Sequence, residues 1–316
     1  MSPPPFIDSE TIEKLLTPRQ AVDALEAALR DGLDPEADPP RVAVGADAGQ
    51  LLLMPSSAGH AVGVKVVSVA PGNADRGLPR IQGVYVLLDP ATLTPVALLD
   101  GIALTNLRTA AVSALAVRHL ARPGGRRLLL FGTGPQAWAH VQALRAVAPV
   151  EHVDVAARDR ARLQAFARRC ADSGLGVRTM TAGPEIAEAV AAADLVCCCT
   201  TAREPLFDGS IVRGHATVVA IGSHEPDARE VDERLVARST VVVEARSAAL
   251  REAGDVIAAL AAGACDAASL ITLDALVRGE SRPAPDGPRL FKGTGMAWED
   301  AVVAAAVQAR AVAAAA

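Results

Sequence analysis

Lys65 stands in the middle of an apolar run, GVKVVSV, with Val64 and Val66 on either side. A lysine inside such a strand has two readings. Burial would lower its pKa and suit it to acid–base work. On an edge strand it would instead guard against pairing with other chains. Two arginines accompany it: Arg41 follows Pro39-Pro40, and Arg108 lies in TNLRTAA, at the expected start of a helix, with Thr109 next to it. A guanidinium can grip a carboxylate through two parallel hydrogen bonds, although a lone arginine is usually a solvated surface group. His224 lies in IGSHEPDARE, and a free imidazole has its pKa near neutrality. That suits a second acid, and equally a loop histidine that packs on a ligand.

A second set of residues points to a nucleotide. Leu128–Phe131 runs into Gly132-Thr133-Gly134-Pro135-Gln136-Ala137, and a helix-compatible stretch follows. Strand, glycine turn and helix in this order match the G-x-G-x-x-G/A dinucleotide-binding turn. Gly132 would permit the sharp turn, Gly134 would admit a pyrophosphate, and Ala137 would let the helix pack closely. Pro135 suits a first helical position, and the helix N-terminus would face the phosphates. The next strand ends in Ala156-Ala157-Arg158, where an NAD site usually places an acid on the ribose hydroxyls. A small residue followed by arginine favours NADP(H) over NAD(H), with Arg158 on the 2′-phosphate; the plainer reading is a solvated arginine before a helix. Asp154 comes too early for the acidic role, and Asp159 reads as a helix cap. Thr200 and Thr201 end one further strand and Ile221-Gly222-Ser223 another. Ligands bind at such carboxyl ends of parallel strands, so the threonines would meet adenosine and Gly222 the nicotinamide half.

These residues need elements to hold them. Thr17-Pro18 starts a helix that Gly32 ends. Apolar runs over 50–54, 61–69, 83–88 and 96–99 follow without intervening helices, which predicts an antiparallel or mixed sheet. A helix is expected over 105–121, with a domain boundary near it. Beyond it strands (128–131, 153–156, 177–179, 195–199, 217–221, 240–243) alternate with helices (135–148, 159–173, 184–192), the doubly wound pattern. A proline-rich loop, 281–288, precedes an alanine-rich helix over 297–316.

The composition excludes several classes. The chain has 316 residues, enough for two domains, and is 51% hydrophobic with a net charge of −5, which speaks against disorder and against nucleic-acid or anionic-membrane partners. Aromatics are 3%, so Ala, Val and Leu must fill the cores. No transmembrane span is expected, and the start MSPPPFIDSE does not read as a signal peptide. The five cysteines show no disulfide or C-x-x-C spacing, and Cys197, Cys198 and Cys199 read as buried strand residues. A reducing, cytoplasmic location is the default expectation, and no metal is expected.

Arg41 before LLLMP, GVKVVSV around Lys65, GLP at Gly77, LTNLRTAAVSALA, GTGPQA, CTT at Cys199, IGSHEPDARE and FKGTGMAWEDA occur in this order over nearly the whole chain. Together they make the sequence similar to the ornithine cyclodeaminase/mu-crystallin family. The resemblance implies an α/β protein: a Rossmann doubly wound parallel sheet, residues 118–295, inserted into a discontinuous α+β substrate-binding and dimerisation domain, residues 1–117 plus 296–316. It further implies a homodimer, Arg41 and Arg108 on the substrate carboxylate, Lys65 beside the reacting carbon and nitrogen, Thr109 reaching the cofactor, and Lys292-Gly293 bordering the nicotinamide. Leu52 and Met54 would line the substrate pocket.

Two departures from the cyclodeaminase pattern bear on activity. Leu52 replaces an acid that holds the substrate's distal amine, and His224 replaces a catalytic aspartate. Both changes move the expectation to the ketimine-reductase branch, with NAD(P)H-dependent reduction of Δ1-pyrroline-2-carboxylate or Δ1-piperideine-2-carboxylate to the L-amino acid. The alternatives are an alanine dehydrogenase-like enzyme or reductive aminase acting on a keto acid, ornithine cyclodeaminase itself, and a non-catalytic NADP-dependent binding protein.

Overall fold

The computed structural model describes residues 3–58 and 60–315. Met1, Ser2, Gly59 and Ala316 lie outside the described residues, so the first two positions of MSPPPFIDSE and the end of the expected 297–316 helix are not covered. The chain divides into two compact units, Met1–Val112 with Met296–Ala316, and Ser113–Gly295.

The first unit is built on a six-stranded sheet. Its strands are β1 (Phe6–Ile7), β2 (Val42–Ala46), β3 (Gly49–Ala58), β4 (Ala61–Val69), β5 (Ile81–Leu88) and β6 (Pro95–Asp100). The order is β1-β6-β5-β4-β3-β2, antiparallel except for the β1/β6 pair. Helix α1 (Ser9–Leu15) precedes α2 (Pro18–Arg30), which the Thr17–Gln20 capping box opens as expected. Ala21, Val22, Leu25 and Leu29 form the buried stripe of α2. The helix Ala297–Ala315 lies against α2 and against β3, β4 and β5.

Two of the differences from the sequence reading bear on the site. β3 runs on through Pro55 to Ala58. Proline is tolerated because β2 pairs only as far as Leu53, so no neighbour needs the missing N–H. Helix α3 (Gly101–Leu120) starts four residues earlier than expected. The Asp100 carboxylate accepts from the N–H groups of Ile102 and Ala103 at 2.9 Å and starts the helix there. Arg108 therefore lies in the second turn, not at the helix start.

The second unit holds eight parallel strands: β7 (Arg127–Phe131), β8 (His152–Ala156), β9 (Gly176–Met180), β10 (Leu195–Cys198), β11 (Thr217–Ala220), β12 (Thr240–Val243), β13 (Ile271–Thr272) and β14 (Arg289–Lys292). Their order is β13-β12-β14-β11-β10-β7-β8-β9. Helices α4 (Pro135–Val147), α5 (Arg160–Asp172), α6 (Pro184–Ala192), α7 (Glu233–Arg238), α8 (Arg246–Glu252), α9 (Gly254–Ala261) and α10 (Leu273–Val277) alternate with them. This is the expected doubly wound parallel sheet. Its central strands are buried throughout, which is why they read as unbroken apolar runs.

β14 was not expected. The run RLFK is short and has a cation at each end, so it reads as loop. Both cations are buried: Arg289 donates to the Leu120 carbonyl at 2.8 Å, and Lys292 donates to the Ser223 carbonyl at 2.7 Å. With these tertiary hydrogen bonds made, the strand takes the slot between β11 and β12. Among the described residues no helix is long and apolar enough to cross a membrane.

Candidate active site

The register of the first sheet sets Met54, Lys65, Tyr85 and Leu99 opposite one another across β3, β4, β5 and β6. Opposed residues share a face, so these side chains form one row. β4 is an interior strand, which removes the edge-protection reading of Lys65. The lysine is 2% exposed.

An ammonium buried this deeply needs partners, and the helix Ala297–Ala315 supplies them. Lys65 Nζ donates to Asp300 Oδ2 at 2.7 Å and to Thr105 Oγ1 at 3.2 Å. Arg108 Nη1 donates to Glu299 Oε2 at 2.7 Å, and Nε donates to Asp300 Oδ1 at 3.2 Å. Asp300 thus bridges the two cations, and both acids are fully buried. Two positive and two negative charges cancel, which makes their burial tolerable. Burial, and next the Arg108 guanidinium, push the Lys65 pKa down to about 8, against the pull of Asp300 and Glu299. A lysine tuned to that range can give and take a proton near neutral pH.

Leu52 lies two residues before Met54 on the same face, half-buried and opposite Val67. Arg41 immediately precedes β2, where Val42 pairs with Leu53, so continued register puts Arg41 in step with Met54. Thr109 follows Arg108 on α3 and is half-buried. Sequence reasoning missed the two acids. The signal was present in AWEDAVVAAAV, but acids in a first helical turn usually serve the helix terminus. Glu299 does this as well, accepting from Met296 N–H at 3.2 Å.

In the second unit the glycine turn has the form its sequence predicts. Gly132 has φ +108°, and a Cβ there would come within 2.4 Å of the Cys199 carbonyl oxygen. At Gly134 a Cβ would meet nothing within 4 Å, so a phosphate can approach the backbone. Gly134 precedes α4, with Pro135 at the first position and no side chain capping the helix. Ala137 is fully buried, Thr133 and Gln136 half-buried. This cradle fits a dinucleotide pyrophosphate. Arg158 is exposed between β8 and α5, after the buried Ala156. Asp154 is turned to Arg178, at 3.0 and 3.1 Å, and to His152 at 3.0 Å, which leaves it no cofactor role. Asp159 caps α5 through Arg162 N–H.

The strand ends of β10, β11 and β14 are held by a buried acid network that the sequence did not disclose. Glu230 accepts from Thr200 N–H at 2.8 Å, from Thr200 Oγ1 at 2.7 Å and from Gly222 N–H at 2.7 Å. Burial raises the Glu230 pKa, with Lys292 and these hydrogen bonds pulling the other way. Lys292 is fully buried and forms an ion pair with Asp255 at 2.9 Å, and Asp255 Oδ1 accepts from Glu230 N–H and Val231 N–H. Glu244 accepts from Thr294 N–H and Gly295 N–H just beyond Gly293. Several expected ligand contacts are therefore internal. The Thr200 hydroxyl binds Glu230, Ser223 Oγ donates to the Ala228 carbonyl, and the Lys292 ammonium faces Asp255 and Ser223. Gly222 is glycine because a Cβ would strike the Thr200 carbonyl oxygen at 2.0 Å and Glu230 at 2.4 Å. Thr201 and His224 are exposed, Ile221 half-buried and Gly293 buried.

Known proteins resemble this chain in sequence and fold. A Δ1-pyrroline-2-carboxylate reductase of Bacillus cereus strain ZK / E33L is 34% identical over 267 residues, 83% of this chain and 81% of its own. The ketimine reductase mu-crystallin of Mus musculus is 33% identical over 310 residues, 95% of each chain. Among solved structures, Thermococcus litoralis Δ1-pyrroline-2-carboxylate reductase in complex with NADH and L-proline superposes with a TM-score of 0.89 at 29% identity, covering 98% of both chains. Residues 6–315 match the family pattern throughout, and on these grounds the chain belongs to the ornithine cyclodeaminase/mu-crystallin family.

Proposed function

We propose that this protein is an NAD(P)H-dependent oxidoreductase that reduces the C=N bond of a small cyclic imino acid, Δ1-pyrroline-2-carboxylate or Δ1-piperideine-2-carboxylate, to L-proline or L-pipecolate. The observation that carries this reading is the buried Lys65 ammonium in its cluster with Asp300, Arg108 and Glu299. The names of the relatives support the same reaction class. The reduced nicotinamide supplies the hydride.

The chain's own residues do the rest. Arg41 and Arg108 hold the substrate carboxylate, and Glu299 and Asp300 fix the plane of the Arg108 guanidinium, which sets the orientation of the ring. Lys65 gives its proton to the ring nitrogen as the carbon accepts the hydride, so the C=N bond becomes CH–NH. Asp300 keeps the ammonium aimed and stabilises its charge before transfer. Leu52 and Met54 give the ring an apolar wall. Gly132–Ala137 hold the pyrophosphate, with Thr200, Thr201, Ile221, Gly222, Ser223, Lys292 and Gly293 shaping the remainder of the cofactor site within the second unit. Lys292 and Glu230 act there as positioning residues. Arg158 and the small Ala156 and Ala157 favour NADPH. The exposed apolar side chains Val42, Val44 and Leu51 at the sheet edge suit a homodimer.

NADPH consumption by the purified protein tests the reading. Turnover with a cyclic imine alone is the expected result, whereas turnover only with pyruvate and ammonium would replace the reading with an amino-acid dehydrogenase. Lys65→Met should abolish imine reduction and leave NADPH binding nearly intact. Near-normal turnover in that variant would remove the lysine from the chemistry.

A further inference from the structure

Cys197 and Cys199 are two residues apart at the end of β10, on one face of the strand. Their sulphurs lie 3.6 Å apart. His140, fully buried on α4, brings a ring nitrogen to the same place: this atom and the two sulphurs all lie within 4.8 Å of one another. His140 Nδ1 is 2.8 Å from the Gln136 carbonyl oxygen, and Nε2 is 3.0 Å from Ser113 Oγ. A carbonyl only accepts, so Nδ1 carries the proton and Nε2 presents its lone pair. A metal-ligating histidine needs this tautomer and this outer hydrogen bond.

We propose that Cys197, Cys199 and His140 form a buried site for a thiophilic divalent cation of the zinc class, with Ser113 Oγ beside the fourth position. β10 and α4 bring the three residues together only in the fold, so their spacing in the sequence carries no metal signature. Zn–S bonds of about 2.3 Å at a tetrahedral angle place two sulphurs about 3.8 Å apart, close to the separation found here. Two thiolates and an imidazole select zinc over magnesium or calcium, which take oxygen ligands. The Cys199 carbonyl lies under Gly132, and α4 opens from that same turn. A bound ion would therefore clamp α4 to β10 behind the glycine turn, apart from the chemistry assigned to Lys65.

The full-length chain, stripped with a chelator and titrated with Co²⁺, tests this. One equivalent should bind with the intense visible bands of a tetrahedral ion and a near-ultraviolet sulphur-to-cobalt charge-transfer band, both lost on adding Zn²⁺. Cys197→Ser should remove the charge-transfer band, and Cys170→Ser, a buried thiol elsewhere, should keep it. If Cys197→Ser does not fold, Cys199→Ser serves in its place. A wild-type titration without the band, or a band that survives loss of Cys197 or Cys199, overturns the site.

Discussion

Asp300→Asn would remove the charge that Lys65 and Arg108 share and leave the shape of the cluster nearly unchanged. Lys65 Nζ sits 2.7 Å from Asp300 Oδ2. At an effective dielectric of about 20, a pair this close is worth about 6 kcal/mol, and desolvation offsets much of that. A partner charge at such range moves a pKa by about 1–3 units. The Lys65 pKa, about 8 with Asp300 in place, should fall to about 6 without it. In the proposed reaction the ammonium is the proton donor, so activity should be lost as pH rises through this pKa. At pH 7.5 the protonated fraction would drop from about three quarters to about 3%, a loss of about 25-fold. Lowering the pH should recover most of it. The assay is the pH profile of kcat/KM for Δ1-pyrroline-2-carboxylate with NADPH, wild type beside Asp300→Asn, with thermal denaturation as the control for folding. Breaking a buried pair costs about 3–5 kcal/mol, so a lower Tm is expected as well. An alkaline limb that stays where the wild type has it, with activity intact at pH 7.5, would refute the assignment of Lys65 as donor and Asp300 as its tuning partner.

Other perturbations separate the remaining roles. Arg158→Ala should raise KM for NADPH about tenfold, the equivalent of about 1.4 kcal/mol, with KM for NADH nearly unchanged; equal changes for both would end its 2′-phosphate role. Gly132→Ala should destabilise the protein and raise KM for the cofactor, because the added Cβ meets the Cys199 carbonyl at 2.4 Å in backbone with φ +108°; an unchanged Tm and KM would refute this. His224→Ala should leave the alkaline limb of the pH profile in place if Lys65 supplies that proton as proposed; a displaced limb would make the histidine an acid in the reaction.

The legible parts of this sequence were those with local signals. The glycine turn, the Thr17 capping box and the alternation of apolar strands with helices each depend on residues near one another in the chain. Lys65 was conspicuous for the same reason, as a charge inside an apolar run. What its neighbours would be was not legible. Asp300 is separated from it by 235 positions, and two acids in a first helical turn have an ordinary local explanation. The same limit concealed Glu230 and Asp255, whose partners are backbone N–H groups of other loops. β14 escaped because its two terminal cations find their partners, the Leu120 carbonyl for Arg289 and Asp255 for Lys292, only in tertiary contacts. Sequence pattern displays what a segment prefers; it does not display which distant segment will satisfy its charges.

The late position of β14 has a consequence for how the chain acquires its structure. β14 fills the slot between β11 and β12, and the helix Ala297–Ala315 brings the acids that neutralise Lys65 and Arg108. Until residues 289–300 leave the ribosome, the parallel sheet has a gap between β11 and β12, and Lys65 on β4 and Arg108 on α3 lack the acids of the last helix. Contacts that close such long loops form slowly, and the strand edges flanking the gap are open to mispairing in the interval. Synthesis of this stretch is therefore the step that commits both units to their native state.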